Sequence, residues 1–194
     1  SKVREKAGRC LARHNTVEGD IVIGVPDSGI AGAMGFARES GIPYGLGLMK
    51  NRYIQRTFIE SRAWEREKSV RIKLNANSTV VKGKRIILVD DSIVRGTTSE
   101  RIVQLLRDAG AKEVHFKSTA PAFNHPCYFG TSLPQQEQLA AYGRTTEEVC
   151  KLIGADSLQY LRVEDLAEIA SDLNIQYCDA CFTGHYAVPV PKQR

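Results

Sequence analysis

No apolar run in these 194 residues approaches the length of a membrane span, and no charged-then-apolar leader opens the chain. The two absences set aside a spanning helix and a secretory signal, and they favour the cytoplasm. Internal repeats are missing, and no low-complexity linker separates a second domain. In a cytosolic context the five cysteines (Cys10, Cys127, Cys150, Cys178 and Cys181) argue against a disulfide framework. Only Cys178-Asp179-Ala180-Cys181 has a metal-ligand spacing, and a single C-x-x-C reads as well as a pair of half-buried thiols. Basic residues outnumber acidic ones, 27 to 22, which suits an anionic substrate. They are spread along the chain without interleaved aromatics, so no nucleic-acid partner is expected.

What is present is concentrated in Ile86-Ile87-Leu88-Val89-Asp90-Asp91-Ser92-Ile93-Val94-Arg95-Gly96-Thr97-Thr98-Ser99. Four aliphatics in a row predict a strand buried on both faces. Two carboxylates stand at its end, and an amphipathic helix is expected from about Ser99 to Ala109. In open parallel sheets, ligands bind beyond the carboxyl ends of the strands. A loop entering a helix aims backbone N–H groups and the helix dipole at an anion. An acid pair beside a phosphate cradle points to a ligand with both hydroxyls and a phosphate, a ribose 5-phosphate. The plain alternative for Asp90-Asp91 is a solvated turn.

Elsewhere the pattern predicts a charged helix over 2–14, a strand over 20–25 and a small-residue helix over 30–40. A second strand over 45–49 would complete a β-α-β unit. Residues 50–80 are polar and basic, as in a functional flap or a disordered segment. A strand over 113–118 follows, and then an irregular stretch with two short helices near 146–153 and 163–173. The alternation predicts an α/β fold with a doubly wound parallel sheet. Val25-Pro26-Asp27-Ser28-Gly29 ends its own strand, so it should share an edge of the sheet with Asp90. Its plain alternative is a strand-to-helix turn capped by Asp27 or Ser28.

The run around Asp90 resembles the phosphoribosylpyrophosphate (PRPP) signature of type I phosphoribosyltransferases, in the version carried by the glutamine PRPP amidotransferase family. The resemblance covers nearly the whole chain and implies one phosphoribosyltransferase domain. Its core would span about 1–122, with a mobile loop and a cysteine-bearing C-terminal extension over about 123–194. An N-terminal glutaminase domain would be absent from this chain. It implies that Asp90 and Asp91 hold the ribose hydroxyls and that Ser92, Ile93, Val94, Arg95, Gly96, Thr97 and Thr98 hold the 5′-phosphate. Asp27, Ser28 and Gly29 would bind pyrophosphate, in a loop that often carries a cis peptide, with Mg²⁺ near Ser28, Asp90 and Asp91. Lys50-Asn51-Arg52-Tyr53-Ile54-Gln55-Arg56 resembles the family's mobile loop, with Lys50 also touching PRPP and Lys50, Arg52, Tyr53 and Arg56 in catalytic roles. The pattern departs from the family at Gln55, at Glu60–Trp64, near Ser78 and at Thr131-Ser132. His125-Pro126-Cys127 and Cys178–Gly184 match the subgroup with a [4Fe–4S] cluster, which implies Cys127, Cys178 and Cys181 as ligands. The fourth thiolate would lie upstream of this chain, and Cys10 is the one substitute within it.

The implied reaction is displacement of pyrophosphate from PRPP by ammonia, the first step of purine synthesis. Purine nucleotides are expected as inhibitors, a glutaminase domain as partner, and a homo-oligomer as the assembly. A PRPP-binding regulatory protein without turnover stands beside it as the alternative. A salvage or orotate phosphoribosyltransferase is a weaker one, since those lack the cysteine segments.

Overall fold

A strand covered by helices on both sides has to be apolar throughout, and Ile86, Ile87, Leu88 and Val89 are each completely buried. The computed structural model describes residues 2–50, 74–130, 135–171 and 176–190. In chain order the elements are α1 (Lys2–Arg13), β1 (Ile21–Gly24), α2 (Ile30–Ser40), β2 (Leu48–Lys50), β3 (Leu74–Ala76), α3 (Ser78–Val81) and β4 (Arg85–Asp90). After them come α4 (Thr97–Asp108), β5 (Glu113–Ser118), a 3₁₀ turn over Gln136–Gln138, α5 (Thr146–Ile153), β6 (Ser157–Tyr160), α6 (Asp165–Ala170) and α7 (Ala180–Thr183).

The main sheet runs β1-β4-β5-β6, every pair parallel. Alternation along β4 divides the core. Ile86 and Leu88 pack with Phe116, Ile102, Leu106, Val149 and Ile153, on the side of α4 and α5. Ile87 and Val89 pack with Ala7, Leu11, Phe36 and Ile169, on the side of α1, α2 and α6. The helices α1 and α2 meet at backbone distance. A Cβ on Gly8 would fall 1.9 Å from the Gly32 carbonyl oxygen, and one on Gly35 would fall 2.0 Å from that of Glu5. Small residues are therefore required at this crossing, which is why α2 is built from glycine and alanine.

Four sequence expectations are corrected. The strand expected over 45–49 does not continue the parallel sheet. Beside β1 there is one parallel bridge, Val22 to Tyr44, after which Leu48–Lys50 pairs antiparallel with Leu74–Ala76 in a separate ribbon. Within 50–80, β3 and α3 are regular structure where a flap or disorder was expected. β6 lies inside the stretch read as irregular, and α4 begins at Thr97, two residues earlier than expected.

The connection beyond β1 passes Tyr44 on one side, and β4 lies on the other. Neighbouring loops diverge at such a switch point, leaving a crevice beyond the carboxyl ends of β1 and β4.

Candidate functional site

Register brings the two strand-end loops together. Gly24 sits opposite Val89, and the Val25 N–H donates to the Val89 carbonyl at 2.9 Å. A Cβ on Gly29 would fall 2.5 Å from that same carbonyl oxygen, so the β1 loop can lie against β4 only with glycine there. The Pro26–Asp27 peptide is cis. Beyond β4 the chain turns through residues 91–96, and Gly96, at φ +85°, starts α4 from the left-handed region that favours glycine. No backbone N–H of residues 92–98 donates to another described residue. Unpaired amides at a helix start constitute an anion site.

A cavity of about 440 Å³ opens between these loops. Ser28 lines it from the β1 loop, and Asp90, Asp91, Ser92, Val94, Arg95, Gly96, Thr97 and Thr98 line it from the β4 loop. Val25, Pro26, Leu74, Ser99 and Ile102 complete the wall, and the sequence reading did not single these out as site residues. Asp90 is only 6% exposed and accepts the Asp91 N–H at 2.8 Å. Burial, reinforced by the Asp91 charge, pushes its carboxyl up to about 7. Just past β5, Thr119 donates its N–H to the Asp90 carbonyl at 2.9 Å and its hydroxyl at 3.2 Å, fixing the strand end behind the carboxylate.

A family model described as "Phosphoribosyl transferase domain" matches residues 2–125. The chain belongs to the phosphoribosyltransferase family. It is 51% identical to the amidophosphoribosyltransferase of Archaeoglobus fulgidus over 98% of its own length and 42% of that protein's. To the amidophosphoribosyltransferase of Bacillus subtilis it is 50% identical, over 96% of this chain and 40% of that protein. Among solved structures, glutamine PRPP amidotransferase from B. subtilis complexed with ADP and GMP superposes with a TM-score of 0.85 at 48% identity. That match covers 98% of this chain and 43% of the other. The chain thus spans about two fifths of the length of the curated relatives it matches.

In this phosphoribosyltransferase domain the remaining expected site residues are distributed unevenly. Ile93 is 1% exposed and belongs to the core on the α4 side, so its side chain is kept from the cavity. Gly29 donates its N–H to the Val25 carbonyl at 2.8 Å, and that amide is spent on the turn. Asp27 is exposed outside the cavity wall and pairs with Lys50 at 2.5 Å, tying the β1 loop to the end of β2. Arg52, Tyr53 and Arg56 lie outside the described residues, as do Gln55, Glu60–Trp64 and Thr131-Ser132.

The cysteine segments of the phosphoribosyltransferase chain do approach one another. The N–H groups of Asn124 and His125 both donate to the Cys181 carbonyl at 3.1 Å, and the Tyr186 hydroxyl donates to the Pro126 carbonyl at 2.7 Å. Burial raises the Cys181 thiol to about 11, and Cys127 and Cys178 are near enough to add to that rise. Among the described residues, however, no three Cys, His, Asp or Glu side chains are grouped to hold a metal ion. Cys10 is buried within α1 and accepts a hydrogen bond from Arg13 at 2.9 Å, so it is no fourth ligand for these three. Cys150 donates to the Ala155 carbonyl at 3.2 Å. The thiols present do not complete a four-thiolate cluster.

Proposed function

We propose that this domain binds Mg·PRPP in the cavity between the β1 and β4 loops and displaces its pyrophosphate with ammonia, giving 5-phosphoribosylamine. The observation that carries this reading is the joint lining of one cavity by an acid pair, of which Asp90 is buried, and a run of unpaired amides opening a helix. The 5′-phosphate would sit on residues 92–98, and Asp90 and Asp91 would accept hydrogen bonds from the ribose hydroxyls.

Mg²⁺ takes few protein ligands and keeps water and phosphate oxygens around it. A site with Asp90, Asp91 and the Ser28 hydroxyl, and without a larger acidic group, fits that preference. A divalent cation would also offset the burial and like charge that hold Asp90 toward its acid form. When bound, it would neutralise part of the departing pyrophosphate's charge. The chain's own contribution is preorganisation. The two strand-end loops would hold the ligand at both ends and so orient C1 toward ammonia. Lys50 is placed at the rim, where exchange of Asp27 for pyrophosphate would put a cation on the leaving group.

The remaining three fifths of the relatives' length is the proposed source of ammonia from glutamine. Purine nucleotides are proposed to inhibit by placing their 5′-phosphate on residues 92–98. The B. subtilis structure with ADP and GMP supports nucleotide binding in that relative. No disulfide joins any of the five cysteines, which suits the reducing cytoplasm proposed as the compartment. Among the described residues no helix is long and apolar enough to cross a membrane. A [4Fe–4S] cluster on Cys127, Cys178 and Cys181 is proposed on narrower support, their shared neighbourhood, and it needs a further donor.

The deciding experiment is pyrophosphate release from Mg·PRPP with and without ammonium chloride. Ammonia-dependent release is expected to fall by at least about 100-fold in Asp90→Asn/Asp91→Asn. PRPP binding without any such release would instead support the regulatory reading.

A further inference from the structure

The phosphate loop is not held by its own strand and helix alone. The Val94 carbonyl accepts the Ala140 N–H at 2.8 Å, and Arg95 Nη2 donates to Gln138 Oε1 at 3.1 Å. Both partners come from one short stretch more than forty positions along the chain. That stretch is itself anchored at two points. Leu139 and Ala140 are 0% and 2% exposed, and Gln136 Nε2 donates to the Asn124 carbonyl at 3.0 Å. Asn124 is in turn bonded to the Cys181 carbonyl. Behind the loop, the space over Gly96 is closed by Leu152, Ala140 and Ile153.

The geometry points to Gln138 as a positioning residue for the phosphate loop, holding the Arg95 guanidinium at the cavity wall while Ala140 pins Val94. This rests on the proposed reading of the cavity as a PRPP site. An arginine free in solvent samples many rotamers, and fixing it on ligand binding costs conformational entropy. A neutral acceptor on a rigid 3₁₀ turn lowers that cost without neutralising the cation. Gln138 does this from outside the cavity wall. Its influence should therefore be specific for the 5′-phosphate end of the ligand. The backbone of the β1 loop, which would take pyrophosphate, has no hydrogen bond to the backbone of this stretch among the described residues.

The test is calorimetric binding of ribose 5-phosphate and of inorganic pyrophosphate to the full chain, with Gln138→Leu, Gln138→Glu, Arg95→Ala and Gln138→Leu/Arg95→Ala. Gln138→Leu should weaken ribose 5-phosphate binding by about 3- to 10-fold, as loss of one charge-assisted hydrogen bond would, and leave pyrophosphate within twofold. Gln138→Glu, which keeps an acceptor but neutralises the Arg95 cation and repels the phosphate, should not recover the loss. In the Arg95→Ala background the Gln138→Leu change should have no further effect, which a merely structural role would not produce. Unaltered ribose 5-phosphate affinity in Gln138→Leu, or an equal loss in the Arg95→Ala background, would overturn the inference and leave the site reading intact. Failure of the unmodified chain to bind either probe would overturn the site reading and the inference with it.

Discussion

The two ends of this chain bring their functional groups together by opposite means. Around β1 and β4, each loop is a contiguous run, and a strand places it. Parallel register alone decides that Ser28 and Asp90 face one cavity. Beyond residue 120, the groups come from separated segments stitched by single backbone hydrogen bonds, such as the pair on the Cys181 carbonyl. In the first arrangement the core places the loops and single polar contacts only refine them. The second depends on each stitch.

Backbone-distance packing in the first region should make it unforgiving of added volume. Gly35→Ala places a methyl 2.0 Å from the Glu5 carbonyl oxygen, and both helices would have to move apart. A stability loss of about 3 kcal/mol is expected by chemical denaturation. A loss below about 1 kcal/mol would show that α1 rests loosely on α2.

The next test sharpens the contrast with a buried charge. Lys117 on β5 is 2% exposed, and its ammonium has a hydrogen bond to Gln159 Oε1 at 2.7 Å but no salt bridge among the described residues. Burial brings its pKa down from the usual 10.5 to about 8. Between those two values the unfolded chain holds a proton that the folded chain has released, so stability rises with pH across that window. Below about 8 the folded protein bears the full cost of the buried cation, roughly 3 kcal/mol at most. Lys117→Met should therefore flatten the pH dependence between about 8 and 10.5 and stabilise the protein at neutral pH by about 1–3 kcal/mol. An unchanged slope would mean that the amine is hydrated.

The smallest effect is expected in the second region. Cys178 is exposed, and Cys178→Ser should leave the thermal midpoint of iron-free protein unchanged within about 0.5 kcal/mol of stability. If the proposed cluster assembles, the same change should abolish iron retention, from about four irons per chain to none. Iron-free unmodified protein, prepared anaerobically with iron and sulfide, would discard the cluster.

The contrast also explains what could be read from the amino-acid order. The strand Ile86–Asp90 and the site residues 90–98 were legible because apolar run, carboxylates and loop are adjacent. β6 was not, since Ser157-Leu158-Gln159-Tyr160 has one aliphatic, and its strand character comes from pairing with β5. The ribbon partner of Leu48–Lys50 lies at Leu74–Ala76, in a polar stretch with no local strand signal. Gln138 and Ala140 escaped for the same reason. Nothing near them in sequence signals a role at a loop over forty positions away. Ile93 divides the two readings: its side chain belongs to the core, and only its backbone faces the loop.

The ribbon β2–β3 has a consequence for how the chain can change over time. Lys50 pairs with Leu74 in register, Leu74 lines the cavity and Lys50 is tied to Asp27. Lys50 and Leu74 are therefore held side by side at the mouth of the cavity. Once the two ends of a chain segment are fixed, doubling its length costs only about 0.6 kcal/mol in closure entropy. Insertions and deletions between Lys50 and Leu74 are thermodynamically cheap on that ground, and the number of residues joining them can change while the β1 and β4 loops stay in place.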